Sequence, residues 1–103
     1  MKSLSEKVLL NNATGNGPGP AFRVEQKKGW TFYIRTSVAG AATIDIEIFI
    51  QGFWVVLDSH SVSSEGTLVI RDDHGHYELI RANVKNYTGG THSVYATGTT
   101  ESL

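Results

Sequence analysis

Cysteine is absent from the 103-residue chain. That absence removes disulfide scaffolds, thiolate-ligated zinc and cysteine nucleophiles together. It leaves the compartment open, because extracellular and virion proteins can also lack cysteine. Charge is scarce as well. Asp, Glu, Lys and Arg make up 18% of the residues, below the usual ~25%, so much of the surface must carry Ser, Thr, Asn and Gly. Nine basic residues against ten acidic ones leave a net charge of −1. A near-neutral chain argues against nucleic-acid binding driven by phosphate neutralisation. No apolar run approaches the ~18 residues of a membrane span, so no membrane partner is expected. The apolar stretch Val8-Leu9-Leu10 near the N-terminus is too short for a signal-peptide core, and export by that route is not expected. No internal repeat and no helix-period segment of useful length is found.

What remains is alternation. Hydrophobic residues make up 40% of the chain, a folded composition at a length suited to one domain. Ile44, Ile46, Ile48 and Ile50 alternate with Thr43, Asp45, Glu47 and Phe49. Strand side chains point to alternate faces, so this pattern predicts a strand over 43–51 with an isoleucine face and a polar face. Trp30 to Val38 predicts a second strand, with Trp30, Phe32, Ile34 and Val38 inward. The loop 39–42 between these strands is expected to make a hairpin. Further strands are predicted at 21–26, 53–60, 67–71, 77–87 and 92–98, with a short edge strand at 8–11. The phase of Tyr77 and Leu79 against Ile80, Ala82 and Val84 predicts a bulge or a covered face. Thr14 to Pro20 holds both prolines of the chain, and no regular element is expected to persist there.

About eight short strands with turn signals every ~8–12 residues predict an antiparallel β-sandwich; jelly-roll connections are one wiring that fits. Two packed sheets give the isoleucine face a core. The expected organisation is an N-terminal arm and Gly/Pro-rich segment at 1–20, the sandwich at 21–98 and a C-terminal tail at 99–103.

Residues with chemical character are few. Asp72, Asp73, His74 and His76 form the one local group of ligand type, and Glu65, His60 and His92 could approach it. Their spacing matches no zinc or calcium loop, and Asp, His and Gly are common turn residues. A turn without metal is therefore expected, and no cofactor. Asp58, Ser59 and His60 contain the residue types of a catalytic triad, but adjacent strand residues point to opposite faces and cannot converge. Gly15–Gly19 lacks the Lys-Ser/Thr ending of a phosphate loop. Tyr33 and Phe49 stand on the polar sides of their strands, beside Arg35, Asp45 and Glu47. Aromatic anchors with a charged rim are the anatomy of an interface. These five residues are the candidate interface, with sugar stacking as the competing use of exposed aromatics.

One resemblance can be stated on particular residues. The run Ala13 to Pro18 is followed by an apolar strand, Gly29 and the Trp30–Val38 strand. Then come Ala42–Gln51, the aromatic strand Gly52-Phe53-Trp54-Val55-Val56-Leu57, and Tyr77 to Val84 leading to a Gly-Gly turn and a last strand. This arrangement resembles small virion proteins of tailed bacteriophages and prophages over most of 13–98. The resemblance implies a structural role as capsid decoration, neck or tail accessory protein, and no catalytic residue. It implies self-association, a trimer favoured, with the major capsid protein or another virion protein as partner and the capsid surface as location. A carbohydrate-binding module of a tail or adsorption apparatus is the alternative.

Overall fold

The structure is a computed structural model that describes residues 4–23, 29–72 and 78–99. Among the described residues nine strands are formed: β1 (Leu4–Ala13), β2 (Gly17–Pro18), β3 (Phe22–Arg23), β4 (Gly29–Val38), β5 (Ala42–Ile50), β6 (Phe53–Val62), β7 (Gly66–Asp72), β8 (Leu79–Lys85) and β9 (Thr91–Thr99). They make two antiparallel sheets. Sheet A has the order β1-β9-β4-β7, and sheet B the order β2-β8-β5-β6, with β3 also pairing to β8. β2 and β3 act as one edge strand interrupted near Pro18 and Pro20, which cannot donate to a ladder. Counted that way, eight strands pair first with last, second with seventh, third with sixth and fourth with fifth. This is the jelly-roll wiring: one long hairpin, turning at Gln51-Gly52, folded over into a sandwich.

The inner faces follow the alternation. Ile44, Ile46, Ile48, Ile80, Ala82 and Val84 of sheet B meet Trp30, Phe32, Ile34, Val94 and Ala96 of sheet A, all buried. On β1 the register shifts between Val8 and Leu10. This bulge lets Leu9 and Leu10, neighbours in sequence, both reach the core. Gly98 lies under the Trp30 indole, where a Cβ would stand 2.9 Å from the ring.

Three connections meet at one end of the sandwich. The Gly40 amide donates to the Ser63 carbonyl, and the Thr88 amide donates to the Ala41 carbonyl. A Cβ on Gly40 would fall 2.1 Å from the Gly89 carbonyl carbon, so the two backbones cross where a side chain cannot fit.

Several expectations are corrected. Segment 39–42 is not a hairpin: β4 lies in sheet A and β5 in sheet B, so this link crosses between sheets. Val38 is exposed and Thr36 takes the inward position, because the β4–β9 register shifts between Thr36 and Val38. The segment expected as a separate arm is built into the domain. β1 is a ten-residue strand on β9, and Gly17-Pro18 joins β8. β8 shows no register shift against β5; Leu79 belongs to the outer face of sheet B, opposite Phe49. Val24, Tyr77 and residues 100–103 lie outside the described residues.

Candidate functional site

β5 runs between β8 and β6, so its polar face carries Asp45, Glu47 and Phe49 on the middle of the outer surface of sheet B. Both carboxylates are nevertheless buried, Asp45 at 3% and Glu47 at 4% exposure. Their neighbours cover them. Ser59 on β6 donates to Asp45 Oδ1 at 2.5 Å, and Lys85 Nζ on β8 sits 2.7 Å from Asp45 Oδ2. Arg81 Nε donates to Glu47 Oε1 at 2.6 Å, and Asn83 Nδ2 donates to Glu47 Oε2 at 3.2 Å. The hydrogen bond and charge of Asp45 hold the Lys85 ammonium above its ordinary range. The Arg81 guanidinium also lies over the Trp54 ring, 4.1 Å from its centroid. Trp54 in turn takes the edge of Phe49, centroids 5.3 Å apart. A chain of charge and ring contacts thus crosses three strands. Each buried carboxylate is thereby paired, and removing one partner would leave a buried charge uncompensated.

Sequence reasoning placed Tyr33, Arg35, Asp45, Glu47 and Phe49 on one interface. The fold separates them. Asp45, Glu47 and Phe49 share the outer face of sheet B. Tyr33 and Arg35 lie on the outer face of sheet A, on the far side of the sandwich, because β4 and β5 belong to different sheets. Phe49 is engaged by Trp54 rather than standing free.

A larger apolar surface lies at one side. β6 is the edge of sheet B, β7 is the edge of sheet A, and the short turn 63–65 joins them, so both edges are on the same flank. Phe53 (61% exposed), Val55, Leu57 and Leu68 are exposed there. The opposite flank is closed: Gly19 packs on the Leu9 backbone, and Lys7 Nζ lies 5.6 Å from the centroid of the Phe22 ring. On the open flank, Asp58 pairs opposite Ile46 and His60 opposite Ile44, so both point inward. Their Nε2 and Oδ1 are 3.0 Å apart, although the ring is not aligned for a hydrogen bond. Inward charge on an edge strand discourages indiscriminate strand pairing. Few sequence signals mark this flank, because Val55 and Leu68 occupy inward positions and read as core.

The remaining described candidates do not converge on one another. Ser59 faces outward onto Asp45 while Asp58 and His60 face inward, so no triad forms. His92 is fully buried. Its Nδ1 is 3.1 Å from the Thr36 hydroxyl and its Nε2 3.0 Å from the Gly89 carbonyl. The carbonyl can only accept, so Nε2 donates to it. Residues 73–77, which hold His74 and His76, lie outside the described residues. Among the described residues no three metal-ligating side chains come together. An open cleft of about 320 Å³ near the β6–β7 turn is lined by Ile34, Val62, Leu68 and small hydroxyl residues.

No protein-family model matches the sequence, and no curated protein matches it. Solved structures do match in shape. The SPBc2 prophage-derived protein YomS aligns with a TM-score of 0.78 and 16% identity over 96% of this chain and 95% of that one. A chain of the Bacillus endospore appendages, described as disulfide-linked pili, aligns at 0.57 with 10% identity over 96% and 88%. PirA aligns at 0.52 with 17% identity over 93% and 92%. At these identities the likeness is one of fold: two-sheet β proteins of nearly the same length, one of them phage-derived.

Proposed function

We propose that the chain is a non-enzymatic structural protein of a phage virion, a capsid decoration protein that binds the outer head surface as a small symmetric oligomer. The open β6–β7 flank carries this reading. An exposed apolar surface of this kind, on a chain with little charge, marks a site of contact with another protein. The flank joins two unlike edges, β6 and β7. Contact between the β6 edge of one copy and the β7 edge of the next is head-to-tail, and such contacts make a ring when the rotation closes and a filament when it does not. A ring of three fits a lattice three-fold, and the trimer is the favoured form. The likeness in fold to a prophage protein and to a pilus chain supports a repeated-copy role.

Light scattering of the purified chain and pull-down on assembled phage heads test the reading together. The wild type is expected as three copies that sediment with heads. Phe53→Asp with Leu68→Asp is expected to give a monomer that no longer does so, with an unchanged circular dichroism spectrum.

One observation favours a second reading. Trp54 and Phe49 pack together on the outer face at one end of sheet B, and aromatic clusters can stack on sugar rings. A wild type that is monomeric at tens of micromolar, with Phe49→Asp abolishing binding to host cell-wall sugars, would replace decoration with a carbohydrate-binding module.

A further inference from the structure

The outer face of sheet A carries a pattern that is independent of the flank. Residues in register across an antiparallel sheet point to the same side. Val8 pairs with Tyr95, Tyr95 with Tyr33, and Tyr33 with Val69. These four side chains form one apolar row straight across β1, β9, β4 and β7. Val8 and Val69 at its ends are exposed, and the two tyrosines between them are half-buried. The next row along the strands reads Glu6, Thr97, Thr31, Arg71. It starts with an anion on one edge and ends with a cation on the other. Both are exposed, and neither has an ion pair among the described residues.

We infer that this face binds a second copy of itself about a two-fold axis parallel to the strands, between β9 and β4. Such an axis exchanges left and right but keeps each row level. Val8 then meets the partner's Val69, and Tyr95 meets the partner's Tyr33. Glu6 meets the partner's Arg71, and every contact occurs twice, as isologous symmetry requires. The other in-plane axis, across the strands, sets Arg71 opposite the partner's Thr67 and leaves Glu6 without a cation. Charge complementarity therefore selects both the occupant and the orientation. Four strands at ~4.8 Å spacing and ten residues at ~3.3 Å give a face of roughly 600 Å² per copy. Twice that is the lower bound for a specific pair. Arg35 stands one row beyond, near the axis, where two like charges oppose each other and keep the association weak.

The inference rests on sheet A alone and goes beyond the decoration reading. Analytical ultracentrifugation of the full chain at hundreds of micromolar reads it. Glu6→Arg and Arg71→Glu are each expected to halve the subunit number, and the Glu6→Arg/Arg71→Glu double variant to restore it, because both ion pairs re-form with signs exchanged. Single variants that leave the assembly size unchanged, or a double variant as dissociated as the singles, overturn the two-fold. The absence of native cysteine permits a second measurement. Val8→Cys/Val69→Cys is expected to give a covalent dimer on oxidation, and either cysteine alone is not. Within one chain β1 and β7 are three strand spacings or ~14 Å apart, beyond disulfide reach. A double variant that stays uncrosslinked, or single variants that crosslink equally well, also overturn it. Loss of head binding with the reciprocal charge effect intact would remove the decoration reading and leave this one standing.

Discussion

Ile46 offers the sharpest test of the two-sheet core. Its side chain has no exposed surface, and it sits on β5, between β8 and β6. Alanine there removes three carbons, about 2.4 kcal/mol of transfer free energy at ~0.8 per methylene. A cavity term adds to this, because in-register Ala82 has no side chain long enough to swing into the gap. The expected loss is about 3–4 kcal/mol, inside the range for buried large-to-small changes. Against a total stability of about 5–15 kcal/mol, that is a large fraction. Urea melts of wild type and Ile46→Ala should show a lower midpoint at an equal slope. Val56→Ala is the control. Val56 is exposed and pairs opposite Glu47, so its loss should change stability by about 0.5 kcal/mol or less. An Ile46→Ala loss below about half a kcal/mol would refute the buried inner face.

Gly40→Ala places a methyl against the Gly89 and Gly90 backbone; a thermal melt should show a loss of about 3 kcal/mol, or no folded protein. Arg81→Ala removes the main partner of buried Glu47. About 2 kcal/mol is expected in denaturant melts, below the full buried-pair figure because the Arg81 side chain keeps 22% exposure and Asn83 remains. Lys85 has a raised folded pKa. Its pairing therefore stabilises fully below its ordinary value, and that contribution is lost as pH climbs through the raised one. Lys85→Met should flatten the stability profile at strongly alkaline pH, read by melts across that range.

Alternation made the interior legible. Every inward isoleucine of 44–48 is buried, and so are Ile80, Ala82, Val84, Val94 and Ala96. Period-two patterning reports which residues share a face, but not which sheet a strand joins. That gap explains the split of Tyr33 and Arg35 from Asp45, Glu47 and Phe49. The short link at 39–42 has the composition of a hairpin turn, and only the sheet assignment of β4 and β5 reveals that it passes between sheets. β1 was legible in part. Its bulge puts Leu9 and Leu10 on one side, which breaks the alternation that would have marked ten strand residues. The exposed flank was hidden for the opposite reason. Val55 and Leu68 take inward positions opposite Ile48 and Ile34, yet the sandwich ends beside them.

The folded-over hairpin also sets the order in which the molecule can be completed. β9, the last strand in the chain, is an interior strand of sheet A, held between β1 and β4. Leu4 pairs with Thr99, so the closing contacts span nearly the whole chain and carry a heavy loop-closure cost. During synthesis, the β1 and β4 edges that flank β9 stay unpaired until β9 itself has been made. Folding is therefore expected in the slow range of β topologies. A chain truncated before Thr91 would leave sheet A split in two, with Trp30, Phe32 and Ile34 open to aggregation.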